Sequence, residues 1–402
     1  MEIRKIQLFF FICVSLTSNA LALKIEPVIK LTALGGQYFF QGTNTSFSGN
    51  GDWLLAPGIR FNDKFSLIPT GVGKYRRARE VQELIGGGFL TRETLENQAI
   101  VKGIYSLSPR WKTKLKGSFK NQLLVESASE TLGNGLYDNN KLGLGLEFER
   151  TGTILKSLRL SLDPYAVRFI RYTSLASGST FGEEIKSGVN TLDFNAYDAS
   201  SGADLALGRK TQISANALVS FRPYSDQKRV TSSGSYLTED RKDWYSEVSA
   251  SLLRALPDIP PAHLQWLAGL NFSYSALISD QHNYDANRTQ FNPNYYDYAE
   301  IHVVPKLIGR LFGKLDCAMA YDYGLRNYNH RPTQDSTGVY ATDKIVLTTH
   351  SISYSFKYPC GLGISTVVQG VWRESTSNMA YEATYRYNYI AQHYFAGISW
   401  EY

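Results

Sequence analysis

The last eighteen residues of this 402-residue chain, 385–402, alternate between two kinds of side chain, and this alternation constrains the fold more than any other feature. A period of two predicts a β-strand. One set of alternate residues is mostly apolar and aromatic, and it comprises Ile390, Gln392, Tyr394, Ala396, Ile398, Trp400 and Tyr402. A strand that ends on a bare aromatic residue is expected to cross a membrane, because aromatic rings favour the boundary between water and lipid.

Four residues of this stretch carry a resemblance to a known class of proteins. Tyr394, Ile398, Trp400 and Tyr402 resemble the C-terminal signature of bacterial outer-membrane β-barrels, which include the porins. The resemblance implies that these residues form the signal that the barrel-assembly machinery recognises, and it implies a location in the cell outer membrane. It covers about eighteen residues and specifies no function.

The first twenty-two residues predict a secretory signal peptide. Arg4 and Lys5 precede an apolar run over residues 6–16, and small residues, Ala20 and Ala22, occupy the positions that a signal peptidase reads. The apolar run is too short for a transmembrane helix. We therefore expect residues 1–22 to be the signal peptide, cleaved after Ala22, and residues 23–402 to form the barrel.

The rest of the chain repeats the alternating pattern, with short turns and longer polar loops following each other in turn. This arrangement predicts an all-β fold: a single closed antiparallel up-and-down transmembrane barrel of about sixteen strands, with fourteen as the alternative. The least regular strands are the third, over residues 65–73, and the eighth, over residues 188–207. A soluble propeller or sandwich would not produce this alternation of loop lengths.

Composition limits the partners of the chain. The net charge of +6 is small for this length and gives no reason to expect nucleic acid. We expect outer-membrane lipid and lipopolysaccharide to surround the barrel. The sequence does not decide whether the barrel forms a homo-oligomer.

Cys317 and Cys360 are expected near the ends of alternate strands. Two strand spacings of about 4.8 Å would place them beyond disulfide reach, which predicts two free thiols.

Charged side chains on the strands fall on the phase opposite the apolar side chains. A lysine or arginine facing lipid costs about 2–4 kcal/mol at the membrane midplane, so these residues are expected to face the lumen. The candidates for the pore lining are Lys112, Lys114, Lys116, Lys120, Glu147, Glu149, Arg159, Glu247, Glu300, Lys306, Asp316, Asp322, Arg326 and Arg373. Either they form a charged pore wall that sorts solutes, or they pair with each other and fill a closed lumen.

A polar insertion over residues 74–93 contains Arg76, Arg77 and Arg79, with a helical turn expected over residues 80–85. In one interpretation the insertion folds into the pore as a constriction, and its arginines filter anions. In the other it is a solvated surface loop whose arginines contact lipopolysaccharide.

No recognisable catalytic or metal-binding motif occurs in the chain, and no cofactor or metal is expected. His302 and His393 take the lumen phase, where packing is a simpler role for them than catalysis. The sequence therefore predicts an outer-membrane barrel that acts as a passive or weakly selective channel for small polar or anionic solutes. The alternatives are a barrel enzyme acting on lipid or peptide, and an adhesin or structural barrel.

Overall fold

The computed structural model describes residues 24–44, 47–77, 80–83, 88–127, 129–172, 190–233, 235–257, 265–284, 290–382 and 386–402. The signal peptide expected over residues 1–22 lies outside the described residues and stays a prediction. In the described part of the chain the long elements are all β-strands. No helix among these residues is long and apolar enough to cross a membrane.

Sixteen of the described strands build one sheet. The first eight are β1 (Ile29–Phe40), β2 (Ser48–Leu55), β3 (Phe65–Arg76), β4 (Glu93–Ser106), β5 (Trp111–Val125), β6 (Asn139–Thr151), β7 (Leu155–Phe169) and β8 (Phe194–Leu207). The second eight are β9 (Thr211–Val230), β10 (Tyr236–Ala255), β11 (Gln265–Ser279), β12 (Tyr298–Leu311), β13 (Leu315–Gln334), β14 (Tyr340–Gly361), β15 (Ile364–Ser377) and β16 (Tyr389–Glu401).

Short pairings extend this sheet or stand beside it. Lys24–Glu26 pairs with Gly58–Arg60, and Thr43–Asn44 folds back on the end of β1. Two small hairpins lie in the connections, Glu80–Glu83 with Gly88–Thr91, and Asn283–Tyr284 with Phe291–Asn292.

The sheet closes on itself because each long strand pairs antiparallel with the next and β16 pairs with β1. The closing register runs from Lys30 opposite Glu401 to Phe40 opposite Ala391. At this seam a Cβ on Gly36 would collide with the backbone of Tyr394, so a glycine lets the two strands approach. The predicted fold class, one closed antiparallel barrel of sixteen strands, is confirmed.

The two faces of the barrel wall differ as the alternation predicts. Apolar side chains such as Leu115, Leu142 and Leu160 stand exposed on the outer face. The alternate residues of the same strands are polar or charged and form the inner face. An outer face that is apolar and an inner face that is polar are typical of a barrel surrounded by lipid.

Two hairpins are longer than the sequence indicated. Strand β9 continues to Val230, and β10 begins at Tyr236. In the same way, β13 continues to Gln334, and β14 begins at Tyr340. The sequence predicts polar loops over residues 225–240 and 328–342, whereas most of these residues belong to the four strands. Ladder hydrogen bonds do not require apolar side chains, so a polar hairpin continues the sheet where the apolar pattern has already ended.

The irregular strands also differ in their ends. Strand β3 reaches Arg76, three residues beyond the predicted end at residue 73. Strand β8 begins only at Phe194, because residues 190–193 form a turn in which Asn190 has a φ of 76°. The predicted eighth strand over residues 188–207 was therefore too long at its start.

Both described cysteines are free thiols, as predicted. The geometric reason given for this was wrong, since Cys317 and Cys360 lie on the neighbouring strands β13 and β14. Cys317 is opposite Phe356, which places Cys360 four residues further along. Four residues span about 13 Å of strand, well beyond disulfide reach.

Candidate functional site

The lysine row of β5 lies on the inner face of the barrel. Lys112, Lys114, Lys116 and Lys120 alternate with the exposed Trp111, Leu115 and Phe119. The flanking strands β4 and β6 bring acidic residues to the same face. The row is therefore not an isolated ladder of like charges but one side of a charged sheet surface.

Three of the four lysines are held in ion pairs. The Lys114 ammonium lies 2.5 Å from a Glu147 carboxylate oxygen and 3.0 Å from Glu149. The Lys120 ammonium lies 2.7 Å from Glu96 on β4. Lys116 pairs with Asp163 on β7, one strand beyond its neighbour. Pairing of this kind was the second interpretation of the row, and it holds for these three side chains.

Other basic side chains on the inner face form no ion pair with any described residue. They include Lys74, Lys102, Lys112, Lys141, Arg222, Lys306 and Arg373. Lys102 on β4 stands directly opposite Lys116, and only Lys116 of the two is paired with Asp163. Like charges opposite each other on neighbouring strands repel, and this repulsion favours a nearby anion.

Most of the acidic side chains on the described inner face have a basic partner. Asp204 pairs with Arg159 at 3.2 Å, and Asp316 pairs with Arg310 at 2.7 Å. Asp198 and Glu247 pair with no basic residue in the described chain, and Glu247 instead accepts a hydrogen bond of 2.7 Å from the Tyr245 hydroxyl. The uncompensated charge of the described inner wall is therefore mainly positive.

A second charged cluster joins β12 and β13. The ring nitrogens of His302 lie 3.1 Å from Glu300 and 2.8 Å from Asp322. Arg326 lies 2.7 Å from the other Glu300 oxygen and 4.2 Å from the ring centre of Tyr298. Three predicted pore residues thus meet around one histidine. Both ring nitrogens of His302 face a carboxylate, so neither is left to act as a general base on a solute.

The insertion after β3 folds against the inner wall. Val81 and Leu90, one from each strand of its hairpin, pack on a buried cluster formed by Leu34, Tyr38, Phe40, Val367 and Phe395. The members of this cluster belong to the inner phases of β1, β15 and β16. The helical turn predicted over residues 80–85 is wrong for Glu80–Glu83, which pairs with Gly88–Thr91 as a β-hairpin.

The three arginines of the insertion do not act together in the described structure. Arg76 ends β3 and forms an ion pair of 2.7 Å with Asp52 on β2. Arg77 is exposed. Arg79 lies outside the described residues.

Two buried arginines occupy the end of the barrel that carries the long loops. Arg241 binds Asp243 through two hydrogen bonds of 2.8 and 2.7 Å, and its guanidinium lies 3.8 Å from the ring centre of Tyr296. Arg331 lies 3.9 Å from the ring centre of Tyr295. Sequence reasoning missed these residues, although the many tyrosines near basic residues were a signal that could have suggested them.

The inner wall also contains charged residues that were absent from the predicted pore lining. The clearest are Glu96 and Lys102, which share the even-numbered inner phase of β4. The same alternation that placed the β5 lysines inward could have found them. Among the described residues, no group of three or more His, Cys, Asp or Glu side chains is placed to hold a metal ion.

Comparisons with known proteins establish no family for the chain. No protein-family model matches the sequence, and no curated protein matches it. Solved structures that resemble it include OmpT, an outer membrane protein of Vibrio cholerae, at 9% identity and a TM-score of 0.49, over 95% of this chain and 100% of that one. OccD3 of Pseudomonas aeruginosa resembles it at 9% identity and a TM-score of 0.46, over 94% and 91% of the two chains.

The siderophore receptor PirA of Acinetobacter baumannii is a third such structure, at 8% identity and a TM-score of 0.41, over 94% of this chain and 81% of that one. These proteins belong to the class that the C-terminal resemblance indicated. Because their TM-scores lie below 0.5, the likeness carries no further argument, and the barrel fold rests on the strand pairing itself.

Proposed function

We propose that this chain is an outer-membrane channel, passive or weakly selective, for small polar or anionic solutes. The observation that carries the proposal is the imbalance of charge on the described inner wall. Lys74, Lys102, Lys112, Lys306 and Arg373 have no acidic partner there, whereas Asp198 and Glu247 are the described inner acids that lack a basic one.

The apolar outer face supports the location in a membrane. Alternate residues of β5, β6 and β7 expose leucine and phenylalanine side chains around the barrel. The C-terminal signature and the expected signal peptide direct this proposal to the outer membrane, where the barrel-assembly machinery would insert the chain beside lipid and lipopolysaccharide.

The selectivity of such a channel between anions and cations follows from the electrostatic field of the charges on its inner wall. Fixed positive charges that lack counter-charges raise the local concentration of anions and lower that of cations. Salt screens this field, with a Debye length of about 10 Å at 0.1 M, so the preference weakens as salt rises. The ion pairs of Lys114, Lys116 and Lys120 reduce the field along β5, which is why the expected selectivity is weak.

The hairpin of the insertion is the proposed constriction. Val81 and Leu90 attach it to the inner-wall cluster formed by residues of β1, β15 and β16, and therefore place it at the depth of that cluster. Anything inside the barrel at this depth reduces the cross-section through which solutes pass.

The direct test is a measurement of current through the purified, refolded barrel in a planar lipid bilayer under a salt gradient. We expect stepwise conductance and a reversal potential that shows a preference for anions, larger at low salt. A correctly folded barrel without conductance, or with a preference for cations, would contradict the proposal.

A further inference from the structure

A sector of the inner wall next to the lysine row is built from small, uncharged, hydrogen-bonding side chains. Across five strands the register places Arg159 opposite Gly202, Gly202 opposite Asn216, Asn216 opposite Ser249, and Ser249 opposite Ser273. These residues form one row across the strands. Arg159 stands at one end of the row, and His302, opposite Ser273, stands at the other.

The row contains a cavity of about 270 Å³ on the inner wall. Its lining includes Glu147, Arg159, Asn216, Leu218, Glu247 and Ser249. Gly202 makes room at its base, because an added Cβ there would lie 2.7 Å from the Asn216 amide oxygen and 3.2 Å from the Arg159 guanidinium. The side chains of Arg159 and Asn216 therefore converge above a glycine.

The hydrogen-bonding capacity of the cavity is largely unused within the described chain. Asn216 and Ser249 make no side-chain hydrogen bond with another described residue. Glu247 accepts a hydrogen bond from the Tyr245 hydroxyl, which leaves its remaining lone pairs available. Arg159 binds Asp204 through one guanidinium nitrogen and has further N–H groups to donate.

The charges of the cavity select the kind of ligand. Glu147 is compensated by Lys114, and Arg159 by Asp204, so the uncompensated charge among the cavity residues is the carboxylate of Glu247. An anion would be repelled by Glu247. A simple cation could meet Glu247, but it would leave the free N–H groups of Arg159 without an acceptor. A solute with several neutral hydroxyl groups can donate to Glu247 and accept from Arg159 in the same orientation.

The remaining lining agrees with such a solute. Asn216 and Ser249 both donate and accept, as adjacent hydroxyl groups do. Leu218 supplies apolar surface for the C–H face that a sugar ring or polyol presents. We propose that this cavity, formed by Arg159, Asn216, Leu218, Glu247 and Ser249, is a binding site for a neutral polyhydroxylated solute the size of a monosaccharide. The inference deepens the proposed channel function and rests on it for the access of the solute.

The test measures the binding of D-glucose to the purified, detergent-solubilised barrel by equilibrium dialysis, with glycine as the comparison probe. We expect glucose to bind and glycine not to bind. The variant Asn216→Leu keeps the size of the side chain and removes its hydrogen bonds, so glucose affinity should fall by about fivefold, the loss of one neutral hydrogen bond. Glu247→Gln should weaken glucose binding in the same direction.

The matched control is Gln369→Leu, the same change from amide to alkyl at an inner-face residue of β15 away from the cavity. It should bind glucose as the unmodified barrel does. Absence of glucose binding, equal binding by Asn216→Leu, or binding of glycine in place of glucose would overturn the inference. Because dialysis needs no current, a barrel that binds glucose but does not conduct would refute the channel alone, and one that conducts without binding would refute the site alone.

Discussion

Lys116 on β5 pairs with Asp163 on β7, and the two side chains meet above Gly145 of the intervening strand β6. Any Cβ at position 145 would collide with the Asp163 carboxylate and lie 2.8 Å from the Lys116 side chain. The ion pair therefore bridges three strands only because β6 carries a glycine at this point. Together with the pairs of Lys114, it joins the lysine row to the acidic residues of β6 and β7.

The lysine row provides the first prediction. Replacing Lys112, Lys114 and Lys116 by glutamine removes three positive charges and leaves Glu147, Glu149 and Asp163 without their partners. We expect the reversal potential in a salt gradient to shift toward cations, more strongly at low salt because screening is weaker. Lys112→Gln alone should give a smaller shift, and Lys64→Gln, in the exposed turn before β3, should give none. A conducting triple variant with an unmoved potential would show that the row is structural.

The hairpin between β3 and β4 provides the second prediction. Burying an aliphatic side chain fully contributes about 1.5–3 kcal/mol, and the contacts of Val81 and Leu90 with the inner wall supply part of this. Leu90→Asp places a charge in that contact and should release the hairpin. We expect single-channel conductance to rise in this variant and to stay constant in Val339→Asp, whose residue is exposed in the loop between β13 and β14. Equal conductance in both variants would mean that the hairpin does not narrow the pore.

The closing strand provides the third prediction. The backbone of Tyr402 exchanges hydrogen bonds of 2.8 and 2.9 Å with Ile29, and its ring stacks on Trp400 with centroids 6.2 Å apart. Deleting Tyr402 removes these contacts together with the terminal aromatic of the proposed assembly signal. We expect less heat-modifiable barrel in outer membranes, while Tyr402→Phe retains the normal amount. An unchanged yield after the deletion would remove the basis for assigning Tyr402 to that signal.

Glu126, in the loop after β5, provides the fourth prediction. Burial, and secondarily the neighbouring Glu130, raise the pKa of the Glu126 carboxyl from 4.5 to about 7. Because the folded state holds this proton more tightly than the unfolded state, folding is favoured at low pH and loses stability as the pH rises from about 4.5 to 7. The urea midpoint should therefore fall between pH 5 and pH 8, and by less in Glu126→Gln. The same fall in both proteins would assign the pH dependence to other groups.

The two thiols provide the fifth prediction. Cys360 is exposed, whereas Cys317 is only 3% exposed. A maleimide reagent should label Cys360 rapidly in the folded barrel and Cys317 only after unfolding. Mass spectrometry that finds a Cys317–Cys360 bridge in the unreduced protein would disagree with the strand register.

The sequence predicts which face of a strand each side chain occupies, because a charged side chain that faces lipid is costly and an apolar one is not. This is why the lysines of β5 and the leucines of β6 were assigned to opposite faces. The partners of the lysines could not be read in the same way. Glu96 and Asp163 reach Lys120 and Lys116 only through the register between strands, which alternation alone does not determine.

The position of the hairpin between β3 and β4 could not be predicted from the sequence either. Val81 and Leu90 pack on a cluster that includes Phe395 of the last strand, about 300 residues further along the chain. An isolated pair of apolar residues in a polar insertion gives no indication of a contact so remote in the chain. The hairpins of β9 with β10 and β13 with β14 were underestimated for a different reason, since their polar ends lack the apolar period.

The seam between β1 and β16 has a consequence for how the molecule forms. Its register joins Lys30 to Glu401, residues near the two ends of the described chain, and this pairing turns an open sheet into a barrel. During synthesis one edge of β1 has no hydrogen-bonding partner until β16 has been made. Contacts between residues so distant in sequence form slowly, because the entropy of closing so long a loop must be lost first. A chain that lacks its last strand is therefore an open sheet with unpaired edges that can aggregate, rather than a smaller barrel. Such a chain must be kept from other chains until the last strand has paired.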